Sequence, residues 1–406
     1  MSVRSGAELA ERRIAIVCGH FVPELGYQEV DLAAAFARLG ATTRVVTSTR
    51  RSPNARAIGV GAYTEGLHAQ DGYEVLRIPT RLAIGSNLVG GDVRPALAEF
   101  RPDAVILVGP GKLFGLEIFS QRAAAYRRLA VIQDNSEDGR SRARHGWRGR
   151  IKAVAHRLVK QPAYRRVVRH ADRLILNVPE TRDIVRPWLG AEEREQLLRK
   201  AVQLRLGFDP SVFFFDTGER AAWRGEHGIS SDELVLVTCT RATPSKRLEE
   251  VIDAVSRLRG QGLALRYVLS GLLDDSYAQA LRAHAARHPE PDAFLLLPLL
   301  DHDAMRVLFS GCDLGFWPQA AITIQQAMGT GLPVVLRDRP TVSHLLKPGV
   351  NGWYGRSTDT TEELLRPALS ALRDRPGGDR ERSATAALNR EYLSYDRIAL
   401  EMLSGL

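Results

Sequence analysis

The feature that most constrains this chain is a short pattern that occurs twice: a near-continuous apolar run, a loop, an amphipathic helix closed by glycine, and a second apolar run. Arg13-Ile-Ala-Ile-Val-Cys18 ends in Gly19-His20, Val30 to Leu39 follows with helical spacing up to Gly40, and Thr43-Arg-Val-Val-Thr47 is the next run. Runs that are apolar on successive positions suit strands covered on both faces, and a helix between them lets the strands lie parallel. Further strands are expected at 74–78, 104–108, 130–132 and 173–176. The pattern restarts with Leu234-Val-Leu-Val-Thr238, a helix from Leu248 to Leu258 ended by Gly260, and Leu265-Arg-Tyr-Val-Leu269 running into Ser270-Gly271. Segments 293–297, 314–317 and 334–336 complete the second series. Alternation of this kind predicts an α/β fold with an open, doubly wound sheet in each half.

At 406 residues the chain exceeds what one core usually fills, so two Rossmann-like domains are expected. The charged, proline-bounded crossing from Pro187 to Asp209 places the boundary near residue 200, giving domains 1–200 and 201–382. A last helix, 383–406, carries Tyr392 and Tyr395 and is expected to pack back on the first domain. No apolar run approaches the roughly 20 residues needed to cross a bilayer. Glu8 and Glu11 interrupt the start before any signal-like segment forms, so a cytoplasmic location is expected. Cys18, Cys239 and Cys312 each sit in or beside an apolar run, which suits buried thiols rather than a disulfide framework or a zinc site.

A formal charge of +9 favours anionic partners. Much of it is local: Arg140 to Arg169 holds eleven Lys or Arg and no Asp or Glu, with Ile151, Val154, Leu158 and Val159 at helical spacing. Such a stretch is a solvated helix flanking the active cleft or a peripheral membrane contact through 140–170. Nucleic acid is not an expected partner, and the oligomeric state is open.

Three segments carry the chemistry. Thr240-Arg-Ala-Thr-Pro-Ser-Lys-Arg247 follows a strand at its carboxyl end, where open α/β sheets bind ligands. Ile322-Thr-Ile-Gln-Gln-Ala-Met-Gly-Thr-Gly-Leu-Pro-Val-Val335 is a short helix stopping at Gly331 and feeding a strand. Leu206-Gly-Phe-Asp-Pro210, followed by Phe213 to Phe215, lies between the halves. A helix start presents unpaired amides to an anion, and Arg241 with Lys246 adds two mobile positive charges. A diphosphate fits that description.

In their order and spacing these segments resemble the motifs of the large retaining glycosyltransferase family 4, whose GT-B architecture sets two Rossmann-like domains facing across a cleft. The resemblance covers essentially the whole chain. It implies a nucleoside-diphosphate sugar, GDP- or UDP-linked, as co-substrate, with no separate cofactor and no metal. It further implies that Arg241 and Lys246 neutralise the diphosphate, that amides at Ile322, Thr323 and Ile324 hold the β-phosphate or sugar, and that Gln326 stands where a glutamate usually binds ribose. Thr323 can alternatively be an ordinary N-cap. Gly271 is expected to allow close approach to the nucleotide, and Leu299, in Leu297-Pro-Leu-Leu300, to lie in the base-binding loop. In the first half, Gly26 of Glu24-Leu-Gly-Tyr-Gln-Glu29 occupies the place of a glycine-rich loop. Asp134 and Asn135 are the candidates for hydrogen bonds to donor sugar or acceptor.

The chain departs from the family in one region. Relatives usually carry two glutamates separated by seven residues; here the second position is Gln326 and counting back eight residues reaches Pro318, in a loop that looks several residues short. Gln326 can still accept from a ribose hydroxyl, but without charge assistance. An unusual donor sugar or a non-catalytic nucleotide-sugar binding protein reconciles the change. The acceptor expected is a small molecule with a hydroxyl or thiol, as in specialised metabolism and antibiotic biosynthesis; a glycan or glycolipid of the cell surface is the alternative. Asp301-His-Asp303 and Asp274-Asp275 read as acids at helix starts rather than metal ligands.

Overall fold

The computed structural model describes residues 9–57, 59–84, 87–120, 125–133, 147–339, 341–374 and 378–404. The chain divides into two compact units, Met1–Arg205 with Tyr395–Leu406, and Leu206–Ser394. In the first unit the strands are β1 (Arg13–Cys18), β2 (Thr42–Ser48), β3 (Gly66–Gln70), β4 (Tyr73–Ile78), β7 (Ala104–Val108), β8 (Arg128–Ile132), β9 (Arg173–Leu176) and β10 (Ala201–Gln203). They form one sheet in the order β10-β9-β8-β7-β1-β2-β4-β3, parallel except for the β3–β4 edge pair. β5 (Leu82–Ile84) and β6 (Asn87–Val89) make a separate antiparallel hairpin. Alternation along β1 explains why the sheet is covered twice: Ile14, Ile16 and Cys18 face Leu32 and Phe36 of the Gln28–Arg38 helix, whereas Ala15 and Val17 belong with Leu97 and Phe100 on the opposite face.

The second unit holds β11 (Leu234–Cys239), β12 (Leu265–Leu272), β13 (Phe294–Pro298), β14 (Leu314–Trp317), β15 (Val334–Arg337) and β16 (Gly352–Gly355), all parallel, in the order β13-β12-β11-β14-β15-β16. Val235 and Val237 of β11 pack with Trp223 and Phe309, while Leu236 packs with Val251, Val255 and Leu258 of the Glu249–Gly260 helix. That helix carries Glu249 and Glu250 in its first turn and Arg257 and Arg259 in its last, the signs its end charges favour. All three cysteines are buried free thiols, and burial pushes the Cys239 thiol up to about 12.

The expected terminal helix 383–406 is instead two helices, Asp379–Leu393 and Tyr395–Leu403. Ser394 between them is extended, with φ −68° and ψ 144°. The physical reason is that the two apolar ends belong to different cores. Leu393 packs with Phe208 and Met328 in the second unit, whereas Tyr395, Ile398 and Met402 complete the first. Only the final helix therefore joins the first unit.

The Asp379–Leu393 helix is fixed by Arg382, a buried side chain that donates to the carbonyl of Thr330 at 3.0 Å and to those of Phe309 and Cys312. Burial, and then the charge of Arg220, lowers its pKa to about 9, so three carbonyl acceptors hold the cation in place. Replacing Arg382 with Met leaves those carbonyls unpaired at about 1 kcal/mol or more each, and the urea midpoint is expected to fall by the equivalent of about 3 kcal/mol. Arg382→Lys should not restore it, since an ammonium lacks the planar fork.

Candidate active site

Strand order reverses between β11 and β14: β12 and β13 continue to one side, β15 and β16 to the other. The crevice beyond the carboxyl ends at such a reversal is where open α/β sheets hold ligands. Here the end of β11 is tied down on both sides. Thr240 N donates to Ser270 O at 2.9 Å and Ala242 N to Gly271 O at 2.8 Å. From the β14 side, the Trp317 indole and the Thr323 hydroxyl both donate to Cys239 O, at 2.8 and 2.5 Å.

Lys246 ends the Pro244–Lys246 turn and points back, its ammonium donating to Thr240 Oγ1 and, at 2.9 Å, to Arg241 O. Burial, then the neighbouring Arg241 charge, lowers its pKa to about 8. Two cations thus sit together in a setting that disfavours charge, and an anion between them relieves both effects. Arg247 has left-handed backbone (φ 51°) and forms an ion pair with Glu250.

Gly271 has a different task from the one expected. Its φ is +114°, and a Cβ there would lie 2.1 Å from Thr240 O, so the close approach is to the loop carrying Arg241 rather than to a ligand. Ile322, with helical φ −64° and ψ −27°, occupies the N-cap position of the Thr323–Gly329 helix. Thr323 is therefore not the N-cap; its hydroxyl is engaged by Cys239 O. The amides of Ile324 and Gln325 already bond to Ala321 O and Ile322 O. Ile324 is itself a core side chain, so neither its amide nor its side chain is left for the donor. Gln326 is 1% exposed and its Oε1 has no partner among the described residues, an acceptor suited to a hydroxyl donor. Leu299, just past β13, is 43% exposed, as a base-stacking or loop residue can be.

In the first unit, Gly26 is left-handed (φ 52°) and its amide donates to Pro23 O, so that amide closes the Pro23–Leu25 turn instead of meeting a phosphate. Asp134 and Asn135 lie outside the described residues. Gln133 just before them is buried at the end of β8, and its Nε2 has no partner among the described residues. The sequence signal for it was its place after a strand. Asp301 and Asp275 accept from Ala304 N and Ala278 N, both at 2.8 Å, as helix caps. A grouping with cation-ligand character is Asp253 with His284 and His288, whose donor atoms lie within 4.8 Å of one another. Asp253 Oδ1 is 2.6 and 3.2 Å from the two imidazole Nε2 atoms.

Sequence reasoning missed Gln319, whose Nε2 donates at 2.5 Å to Ser245 O and so links the short loop after β14 to the Lys246 turn. It also missed Arg337, which ends β15; position at a strand's carboxyl end was the available signal.

Residues 219–390 match the family model described as Glycosyl transferases group 1. Over 228 residues the chain is 25% identical to the D-inositol 3-phosphate glycosyltransferase of Nocardia farcinica, covering 54% of this chain and 48% of that protein. The chain thus spans about half the length of the curated relatives it matches. Among solved structures, Anabaena HepE in complex with UDP superposes with a TM-score of 0.65 at 16% identity, over 97% of this chain and 100% of that one. WaaG, a glycosyltransferase involved in lipopolysaccharide biosynthesis, gives 0.59 at 14% identity over 97% and 100%. These likenesses establish the fold class: two Rossmann-like units in one chain, as in GT-B glycosyltransferases.

The low pKa of Lys246 predicts a pH dependence. The ammonium is the anion-binding form, so it is present below about pH 8 and lost as pH rises through that value. Affinity for a nucleoside diphosphate should fall by up to about thirtyfold between pH 7 and 9.5, as the ammonium fraction does, and Lys246→Arg should remove the dependence; calorimetric titration measures both. Gly271→Ala should displace the Arg241 loop, lowering stability by about 2 kcal/mol and weakening the same affinity, as thermal unfolding and titration will show.

Proposed function

We propose that the chain is a retaining, metal-independent glycosyltransferase that moves a sugar from a nucleoside diphosphate to a small-molecule hydroxyl or thiol acceptor, as specialised metabolism requires. The observation that carries this reading is the placement of Arg241 and Lys246 together at the β11/β14 reversal, on a loop tied down from both sides. As the sugar leaves, negative charge grows on the diphosphate oxygens, and cations already in place stabilise that change more than the ground state. Gln326 Oε1 accepts from a ribose hydroxyl. The match of residues 219–390 and the fold likeness to a UDP-bound protein support the donor class.

Purified protein given GDP- and UDP-sugars with pooled acceptors should release nucleoside diphosphate and form glycoside. Arg241→Ala and Lys246→Ala should each lower turnover by about 100-fold or more. Unchanged rates in both variants would remove the reading. Nucleotide-sugar binding without turnover across a broad panel would favour a non-catalytic binding protein.

A second acceptor reading, assembly of a cell-surface glycan or glycolipid, is favoured by one observation. On the Trp147–His170 helix Val154 and Leu158 are 58% and 71% exposed, one turn apart, while its other end is anchored by buried Tyr164, Val167 and Val168. Among the described residues no helix is long and apolar enough to cross a membrane. A basic helix with two protruding apolar groups suits an anionic lipid surface. Flotation with vesicles containing anionic lipid, lost in a Val154→Asp, Leu158→Asp variant, would support it; equal recovery of both proteins in the pellet would oppose it.

A further inference from the structure

The second unit contains a cavity of about 490 Å³ whose wall includes Lys246, Pro318, Gln319, Arg337 and Arg339. It opens on the β15 side of the strand reversal, whereas the Leu297–Leu300 loop lies after β13, on the other side of β11. A nucleobase at that loop and a group in this cavity would therefore extend in opposite directions from the Arg241–Lys246 pair.

The charges of the wall do not cancel. Of its carboxylates, Glu250 is paired with Arg247 and Asp359 with Arg356 at 3.0 Å, while Asp253 lies against two imidazoles that carry charge only when protonated; five Lys or Arg still face three Asp or Glu on the wall. Arg257 is paired with Glu362 at 3.0 Å. Among the described residues Lys246, Arg337 and Arg339 have no carboxylate within ion-pair distance. Arg337 is held by neutral acceptors alone, Asp359 O and Thr361 Oγ1. Burial, then the charge of Arg339, lowers the Arg337 pKa, with Glu250 and Asp359 opposing the shift to a smaller extent. Arg337 and Arg339 thus share one wall of the cavity, and an anion between them lowers their mutual repulsion.

We infer that this cavity binds an anionic group, a carboxylate or a phosphate, carried by the donor's sugar or by the acceptor and distinct from the donor diphosphate. The inference rests on the glycosyltransferase reading, because Lys246 lies both on the cavity wall and at the proposed diphosphate site. It also assigns a consequence to the short loop after β14, which sets Pro318 and Gln319, neither of them acidic, beside the two arginines. A glutamate there would repel the group that the arginines attract. The two sources, an acidic donor sugar and a phosphorylated or acidic acceptor, share one chemistry and differ only in which molecule brings it.

Calorimetric titration of the full chain separates them. Donor arms compare UDP-glucuronate with UDP-glucose and GDP-mannuronate with GDP-mannose; acceptor arms compare glucose 6-phosphate and glucuronate with glucose, in the presence of UDP and of GDP. At least one anionic probe should bind about tenfold more tightly than its neutral counterpart. Arg339→Ala, which removes an exposed side chain, should abolish that preference, and Arg339→Lys should restore part of it. Affinity for UDP and GDP themselves should stay within about twofold in both variants. If no anionic probe outbinds its neutral partner, or if Arg339→Ala weakens neutral and anionic probes equally, the inference is overturned while nucleotide binding still stands. Loss of all nucleotide binding in the unaltered protein would instead remove the reading on which it rests.

Discussion

The carbonyl of Cys239 is the point on which the site depends. It ends β11, two residues beyond the last pair that β11 makes with β14. Two donors from the β14 side, the Trp317 indole and the Thr323 hydroxyl, close on it. Across the strand, Thr240 N and Ala242 N bond to Ser270 and Gly271. The loop bearing Arg241 is thus bound to both neighbours, which fixes two like charges in a place where they would otherwise separate. Preorganised charge of this kind favours a transition state in which anionic charge develops, because no reorganisation is needed when it appears.

The same logic accounts for the glycine at 271. Any side chain there would enter the space of Thr240 O, so the residue sets the distance between β12 and the site loop. Arg382 plays a comparable part on the far side of the unit, gathering carbonyls from two helix ends and joining the Asp379–Leu393 helix to the sheet. Gly271 thus acts directly on the loop of Arg241, whereas Arg382 holds the terminal helix of the unit.

The central strands were legible because strands buried on both faces require continuous apolar sequence. β1, β7, β11 and β14 read directly as such. The edge strands did not: β3 is mostly exposed and β16, Gly-Trp-Tyr-Gly, has no apolar run. β10 is only Ala-Val-Gln and was hidden in a charged crossing. Such segments become strands because a neighbour offers unpaired backbone groups, which is a tertiary cause. The split of the last helix at Ser394 was equally hidden, since its apolar residues keep helical spacing while belonging to different cores.

In the site, Arg241 and Lys246 were legible from their position after a strand, and the substitution at Gln326 from spacing. The hydrogen bond from Thr323 to Cys239, the engaged amide of Gly26 and the neighbouring cations Arg337 and Arg339 were not, because hydrogen-bond partners and charge compensation depend on distant segments. The most direct test of the account is a crystal structure of the protein with UDP or GDP. The account predicts a diphosphate oxygen about 3 Å from Lys246 Nζ and a ribose hydroxyl donating to Gln326 Oε1. A nucleotide bound elsewhere, or one whose phosphates leave Lys246 and Arg241 without contact, would contradict it.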